Sequence, residues 1–326
     1  MKHRDVVLIT GGNSGIGFEC ARELARRGWH ALIASRDREA SALAVSRIVQ
    51  ESGADTASEL ALDLGSLASV RALVQEIERQ DVPLRALVCN AGLQIMTGPQ
   101  LSSDGFERTM AVNHLGHFLL TNLLLRRLIA TPPARIVIVS SGVHDGAQRT
   151  GMPKPAVTDM RTLIATGGPR AGEYDGRLAY VNSKLSNMWF VYELVRRLTS
   201  AQLSQDEKSL TVNGFDPGLV PGSGLARDYP PALRFVWDRL LPGVSKMLNP
   251  FIPQFSTAQK SGQTLARLVL DPALGGVSGK YFPSHARWQA AQSSKDSYDL
   301  IPARALWEES VRVTGLTPED SPLARA

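Results

Sequence analysis

In the stretch "YDGRLAYVNSKLSNMW", residues 174–189, a tyrosine precedes a lysine by four positions, Tyr180 and Lys184. Within a helix that interval puts both side chains on one face. A phenol near pKa 10 is a slow acid at neutral pH, and a neighbouring cation favours the phenolate and lowers that value. Such a pair suits proton donation to an oxygen on which negative charge develops. The chain has six tyrosines, and the spacing alone fits a solvated helix face equally well.

A second chemical signal lies near the start. "TGGNSGIG", residues 10–17, falls between an apolar run and a helical pattern. There a glycine-rich turn lets backbone N–H groups approach a pyrophosphate at a helix N-terminus. Gly11, Gly15 and Gly17 carry that role, with Asn13, Ser14 and Ile16 completing the loop. The next apolar run ends "ALIASRDRE". An acidic residue at its end would hold the 2′-hydroxyl of NAD, and Ser35 stands there with Arg36 behind it. A hydroxyl and a guanidinium suit a 2′-phosphate, so the pattern favours NADP(H), although a solvated arginine would look the same.

These residues need a scaffold. "DVVLIT", "HALIAS", "SELAL", "RALVCN", "ARIVIVS" and "SLTVNGFD" read as strands separated by helical patterns, the first helix running from about Ile16 to Arg27 and closed by Gly28. Nearly continuous apolar strands between helices imply an α/β, doubly wound parallel sheet of Rossmann type. At 326 residues and 43% hydrophobic content, one domain over 1–326 is expected. Residues 142–176 are rich in Gly and Pro and predict a long loop with at most one short helix. Residues 217–256 gather Pro, Gly and bulky apolar groups and suit a substrate lid. Tyr229, Phe235, Trp237, Leu240 and Leu241 would then wall an apolar pocket, or equally belong to the core or to an amphipathic helix packed on the body. The tail after Lys295 reads as polar and outward-facing.

Composition excludes several classes. No run long enough to span a bilayer occurs, and the apolar part of "MKHRDVVLIT" is too short for a signal peptide. A soluble, cytoplasmic protein is expected, with peripheral membrane contact unsupported. Cys20 and Cys89 suit a reducing compartment. The net charge of +5 comes from scattered basic residues without an aromatic-interleaved stripe, which argues against nucleic acid. His114 and His117 lack acidic or cysteine partners at ligand spacing, so no metal is expected.

The order of motifs resembles the short-chain dehydrogenase/reductase family over essentially the whole chain: "TGGNSGIG", "LDL" with Asp63, "NAG" at 90–92, "VNHLGHF" with Asn113, "IVIVSS" ending at Ser141, "YVNSK", and "DPG" at 216–218. The resemblance implies a catalytic tetrad of Asn113, Ser141, Tyr180 and Lys184. It also implies that Asp63 with Leu64 contacts adenine and that Asn90, Ala91 and Gly92 line the adenosine half. Pro217, Gly218 and Val220 would face the nicotinamide amide, Lys184 would hold the nicotinamide ribose, and Asn113 would order a water linking Lys184 to solvent. The family often dimerises through the helices carrying Asn113 and Tyr180, so a monomer or a homodimer is expected.

Within that family, "YDGRLAYVNSKLSNM", "VNHLGHFLLTNLLL" and "GSGLARDYPPALRF" are similar to the light-dependent protochlorophyllide oxidoreductase and retinol-dehydrogenase-like branch. The photoenzyme typically has cysteines two residues after the lysine and directly after Pro-Gly, and a threonine a little further on. This chain has Ser186, Leu219, and Gly222 followed by Ser223. The reading is therefore hydride exchange between NADP(H) and a carbonyl or alcohol on a bulky apolar small molecule. Reduction of a tetrapyrrole C=C bond and a non-catalytic NADP(H)-binding sensor are the alternatives.

Overall fold

Seven short apolar runs pair side by side into one parallel sheet, ordered β3-β2-β1-β4-β5-β6-β7. The computed structural model describes residues 4–148, 150–157, 159–168, 174–203, 210–224, 226, 229–241, 243, 254–286 and 289–324. Residues 169–173 of the 142–176 insertion and 244–253 of the 217–256 segment lie outside the described residues. The strands are β1 (Val6–Thr10), β2 (His30–Ser35), β3 (Ala57–Ala61), β4 (Leu84–Cys89), β5 (Ala134–Val139), β6 (Leu210–Asp216) and β7 (Tyr281–Pro283). The central strands are buried along their whole length, as a parallel sheet covered on both faces requires. The strand order reverses between β1 and β4, which opens a crevice at their C-terminal ends.

One face carries α1 (Gly15–Arg26), α2 (Arg38–Ser52) and, after several shorter helices, α9 (Ala258–Leu270); their apolar side chains meet Val7, Ile9, Ile33 and Val88. The other face carries α3 (Leu67–Gln80), α5 (Gly116–Ile129) and α7 (Gly176–Ser200) over Val6, Leu8, Leu87 and Ile136. α1 ends as anticipated, with Gly28 at φ 87° just past it. α5 continues from a short α4 (Arg108–Met110) through a π-turn, Ala111–Leu115, in which the Gly116 N–H reaches back to Ala111 O. The insertion forms a 3₁₀ turn at Gly142–His144 and a helix α6 (Met160–Thr166). α8 (Pro231–Phe235) runs into a π-turn at Val236–Leu240.

The C-terminal tail departs from expectation. It forms α10 (Leu300–Thr314), which packs on α5 and α7 with Ala303, Leu306 and Trp307 buried. The Trp307 ring lies 5.0 Å from Phe118 and 5.9 Å from Phe190. Its buried positions, Ala303, Leu306, Trp307, Ser310 and Thr314, recur at helical spacing, while Ile301, Arg304, Glu308 and Arg312 face outward.

Candidate active site

A cleft of about 1230 Å³ opens over the C-terminal ends of β1, β4, β5 and β6. Its first wall is the glycine turn. Gly11 and Gly15 have φ of 65° and 57°, a conformation that side chains other than glycine's strain to adopt. Gly17 lies beneath the wall, where a Cβ would stand 2.4 Å from Gly11 O and 2.5 Å from Asn90 Nδ2. The Asn90 side chain buttresses the turn by donating to Thr10 O at 2.9 Å. The backbone at the start of α1 thus forms a cradle that side chains leave open, as a pyrophosphate needs.

At the end where adenosine is expected, Ser35, Arg36, Asp63, Leu64, Asn90, Ala91 and Gly92 all line the cleft. Asp63 spends Oδ1 on the Gly65 N–H (2.9 Å). Asp37 also borders the cleft, but its Oδ1 caps α2 by accepting from Ala40 N at 2.9 Å. One of its carboxylate oxygens is therefore engaged, and Arg36 is exposed at the rim. The Ser35 hydroxyl is tied into the same turn through Ser41 Oγ at 2.7 Å.

Three of the four residues expected to be catalytic converge at the other end. Tyr180, Lys184 and Ser141 line the cleft, and the Lys184 Nζ lies 5.5 Å from the centre of the Tyr180 ring. Lys184 is 4% exposed and donates to Val139 O at 3.3 Å. Burial depresses its pKa to about 8, partly offset by the Asp216 carboxylate. Burial, reinforced by Tyr229, raises the Tyr180 phenol well above its usual range, and the hydrogen bond with Ser141 only partly opposes this. Desolvation therefore outweighs the lowering expected from Lys184, because burial disfavours phenolate and ammonium alike. Tyr180 is held as the protonated acid.

Asn113 does not line the cleft. Its Oδ1 accepts from Leu93 N (2.9 Å), and its Nδ2 donates to Leu93 O (3.0 Å) and Ser183 Oγ (2.9 Å). The side chain is spent on fixing the loop after β4 to α7, so only its main-chain carbonyl remains for the proposed water. That carbonyl already faces His117 Nδ1 at 3.1 Å. Thr10 Oγ1 accepts the N–H groups of Asn90 and Ala91, both at 2.9 Å, leaving its own proton for His117 Nε2 at 2.8 Å. His117 must then carry its proton on Nδ1, and burial holds its pKa near 4. A neutral histidine links the glycine turn to the π-turn.

Another buried histidine steadies Ser141. Ser294 N donates to His144 Nε2 at 3.1 Å, which leaves Nδ1–H to donate to Ser141 O at 2.6 Å. Sequence reasoning missed Thr10, His117 and His144 as positioning groups, since their partners come from distant segments. Gln94 was missed too; it is 2% exposed and its Oε1 accepts from the Tyr229 hydroxyl at 2.7 Å over the cleft.

Val143, Gln148, Thr150 and Met152 bring the insertion to the cleft, and Tyr229 and Trp237 bring the later segment. Phe235, Leu240 and Leu241 do not reach it. Phe235 and Leu240 are 58% and 51% exposed, on the outer side of the α8 region. Pro217, Gly218, Leu219 and Val220 line the far end. The Ser186 hydroxyl is buried and donates to Asn182 O at 2.9 Å, away from the cleft. His114 Nε2 pairs with Ser310 Oγ at 3.1 Å. No cluster of metal-binding residue types occurs among the described residues, and no helix among them is long and apolar enough to cross a membrane.

Residues 5–152 match the family profile described as short chain dehydrogenase. The chain is 34% identical over 330 residues to protochlorophyllide reductase A, chloroplastic, of Oryza sativa subsp. japonica, covering 95% of this chain and 81% of that one. The Hordeum vulgare protochlorophyllide reductase A is also 34% identical, over 95% of this chain and 80% of its own. Among solved structures, a 3-oxoacyl-[acyl-carrier protein] reductase from Brucella melitensis in complex with NAD superposes with a TM-score of 0.62 at 19% identity, over 88% of this chain and 98% of that one. An NADPH-bound short chain oxidoreductase from Pseudomonas aeruginosa PAO1 superposes with a TM-score of 0.61 at 19% identity, over 86% and 94%. The glycine cradle, the convergent Ser141, Tyr180 and Lys184, and these relatives lead to one assignment: the chain belongs to the short-chain dehydrogenase/reductase family as an NAD(P)-dependent oxidoreductase related to the protochlorophyllide reductases.

Proposed function

We propose that the protein exchanges a hydride between NADP(H) and a carbonyl or alcohol carbon of a bulky, largely apolar small molecule. The observation that carries this reading is the meeting of a protonated Tyr180, Ser141 and Lys184 in one large cleft beside a built pyrophosphate cradle. NADP(H), when bound, supplies or accepts the hydride. In the reducing direction the carbonyl π electrons move to oxygen, Tyr180 gives that oxygen its phenolic proton, and Ser141 donates a hydrogen bond to it. Lys184 stabilises the phenolate left behind and orients the nicotinamide ribose. Asn113 and His117 keep α7 and the glycine turn in register. Arg36, exposed beside Ser35, favours the 2′-phosphate of NADP over NAD. Replacing Tyr180 with Phe tests the assignment, because turnover should vanish while nucleotide binding persists.

The relatives support a second reading, reduction of a tetrapyrrole C=C bond, since the protochlorophyllide reductases match over 95% of the chain. Ser186 weighs little against it, being turned away from the cleft; Leu219 lines the cleft and weighs more. Illuminating the protein with NADPH and protochlorophyllide tests it: a product absorbance band under light supports the second reading, and its absence counts against it. We infer a monomer for either, because α10 covers part of the α5 and α7 surface through which the family's subunits often pair.

A further inference from the structure

One buried carboxylate in the cleft accepts no hydrogen bond from Tyr180, Ser141 or Lys184 among the described residues. Asp216 closes β6, is 4% exposed and lines the cleft between Ser141 and the Pro217–Val220 segment. Its Oδ1 accepts from Gly218 N at 2.9 Å and its Oδ2 from the Tyr281 hydroxyl at 2.9 Å. Both partners are neutral donors, and no lysine or arginine forms an ion pair with it among the described residues. Its Oδ2 stands 3.0 Å from where a Cβ on Gly142 would project, so it sits directly behind the turn that follows Ser141.

The surroundings fix this carboxylate in place. Two hydrogen bonds from neutral donors stabilise a carboxylate without cancelling its charge. Burial and the nearby carboxylate drive the Tyr281 phenol far above its usual range, so its O–H stays a donor. The titratable groups around Asp216 are Lys184 and Tyr180 on α7, His144 and Asp145 from the insertion, and Tyr281 on β7. Lys184 is the cation among them that the carboxylate steadies. Asp216 immediately precedes the segment placed against the nicotinamide.

We propose that Asp216 is a fixed negative charge at the nicotinamide end of the cleft that favours the positively charged oxidised ring over the neutral reduced one, making the bound reduced cofactor a better hydride donor. This rests on the NADP(H) reading of the cleft. Asp216 acts through its field and is a positioning residue. A purely structural Asp216, holding the Gly218 turn through Oδ1, would affect both redox forms alike.

The test is the ratio of NADP⁺ to NADPH dissociation constants, measured by calorimetry on the full chain without substrate. Asp216→Asn keeps the Oδ1 acceptor and the shape but removes the charge, and should raise the NADP⁺ Kd relative to the NADPH Kd on the order of 10-fold. Tyr281→Phe keeps the carboxylate and removes one donor, and should shift the ratio about 2-fold toward NADP⁺. Equal weakening of both nucleotides in Asp216→Asn, or no change in either, overturns the proposal. If Asp216→Asn does not fold, an unchanged ratio in Tyr281→Phe overturns it instead. A wild-type protein that binds neither nucleotide overturns the reading of the cleft itself, a different and distinguishable outcome.

Discussion

Replacing Lys184 with Met should make the nucleotide-free protein more stable while removing its activity. Lys184 is 4% exposed, and its one direct hydrogen bond among the described residues runs to Val139 O at 3.3 Å. That carbonyl also accepts from Asn187 Nδ2 at 3.1 Å, so it keeps a partner when the ammonium is gone. Burial lowers the Lys184 pKa from 10.5 to about 8, which corresponds to roughly 3 kcal/mol of penalty on the charged form. Because the folded pKa lies below the unfolded one, the penalty is fully present below pH 8. Between about pH 8 and 10.5 the unfolded chain holds the proton that the folded one has lost, so wild-type stability gains there relative to the variant. At neutral pH Lys184→Met should gain about 2–3 kcal/mol, or about 3–5 °C in Tm for a chain of this length. Thermal unfolding of both proteins without NADP(H), at pH 7 and again near pH 10, supplies the comparison, and titrating groups that do not interact with Lys184 cancel in the difference. A variant no more stable than wild type at pH 7, or an advantage that does not shrink as pH rises, would refute the reasoning.

Further perturbations probe other parts of the account. Gly17→Ala puts a methyl group 2.4 Å from Gly11 O, and backbone on that side cannot yield cheaply. Stability should fall by about 1–3 kcal/mol, with the NADPH Kd weakened about tenfold or more, as denaturant titration and calorimetry would show. Arg36→Glu should reduce the preference for NADPH over NADH in kcat/KM by about 10-fold, and an unchanged preference would place the 2′-phosphate elsewhere. Trp307→Ala leaves a cavity against Phe118 and Phe190 and should cost about 3–5 kcal/mol. It should also loosen α10 enough to promote self-association through α5 and α7, readable by light scattering.

What was legible in the sequence was whatever depends on local order along the chain. The alternation of apolar runs with helical patterns predicted the parallel sheet. Gly11, Gly15, Ser141, Tyr180 and Lys184 sit at strand ends or on one helix face, where position in the element determines position in the cleft. Direction around an element was harder to read. Phe235 and Leu240 are as apolar as Trp237, yet only the rotation of the α8 segment decides that Trp237 faces the cleft and the others face water. Trp307 and Leu306 hid in a tail whose interspersed charges masked a helical stripe.

Groups acting through distant partners were not legible at all. The proton on His117 is placed by Thr10, more than a hundred positions away, and that on His144 by the backbone of Ser294. The Tyr180 phenol was expected to be acidified by its lysine, because spacing reveals the cation but not the desolvation that outweighs it.

The most direct test of the central claim is turnover of a bulky apolar ketone with saturating NADPH, comparing wild type with Tyr180→Phe on samples whose NADPH Kd is also measured. The account predicts a loss in kcat of at least about 100-fold with NADPH affinity retained. Substantial turnover in Tyr180→Phe, at unchanged affinity, would contradict the assignment of Tyr180 as the proton donor.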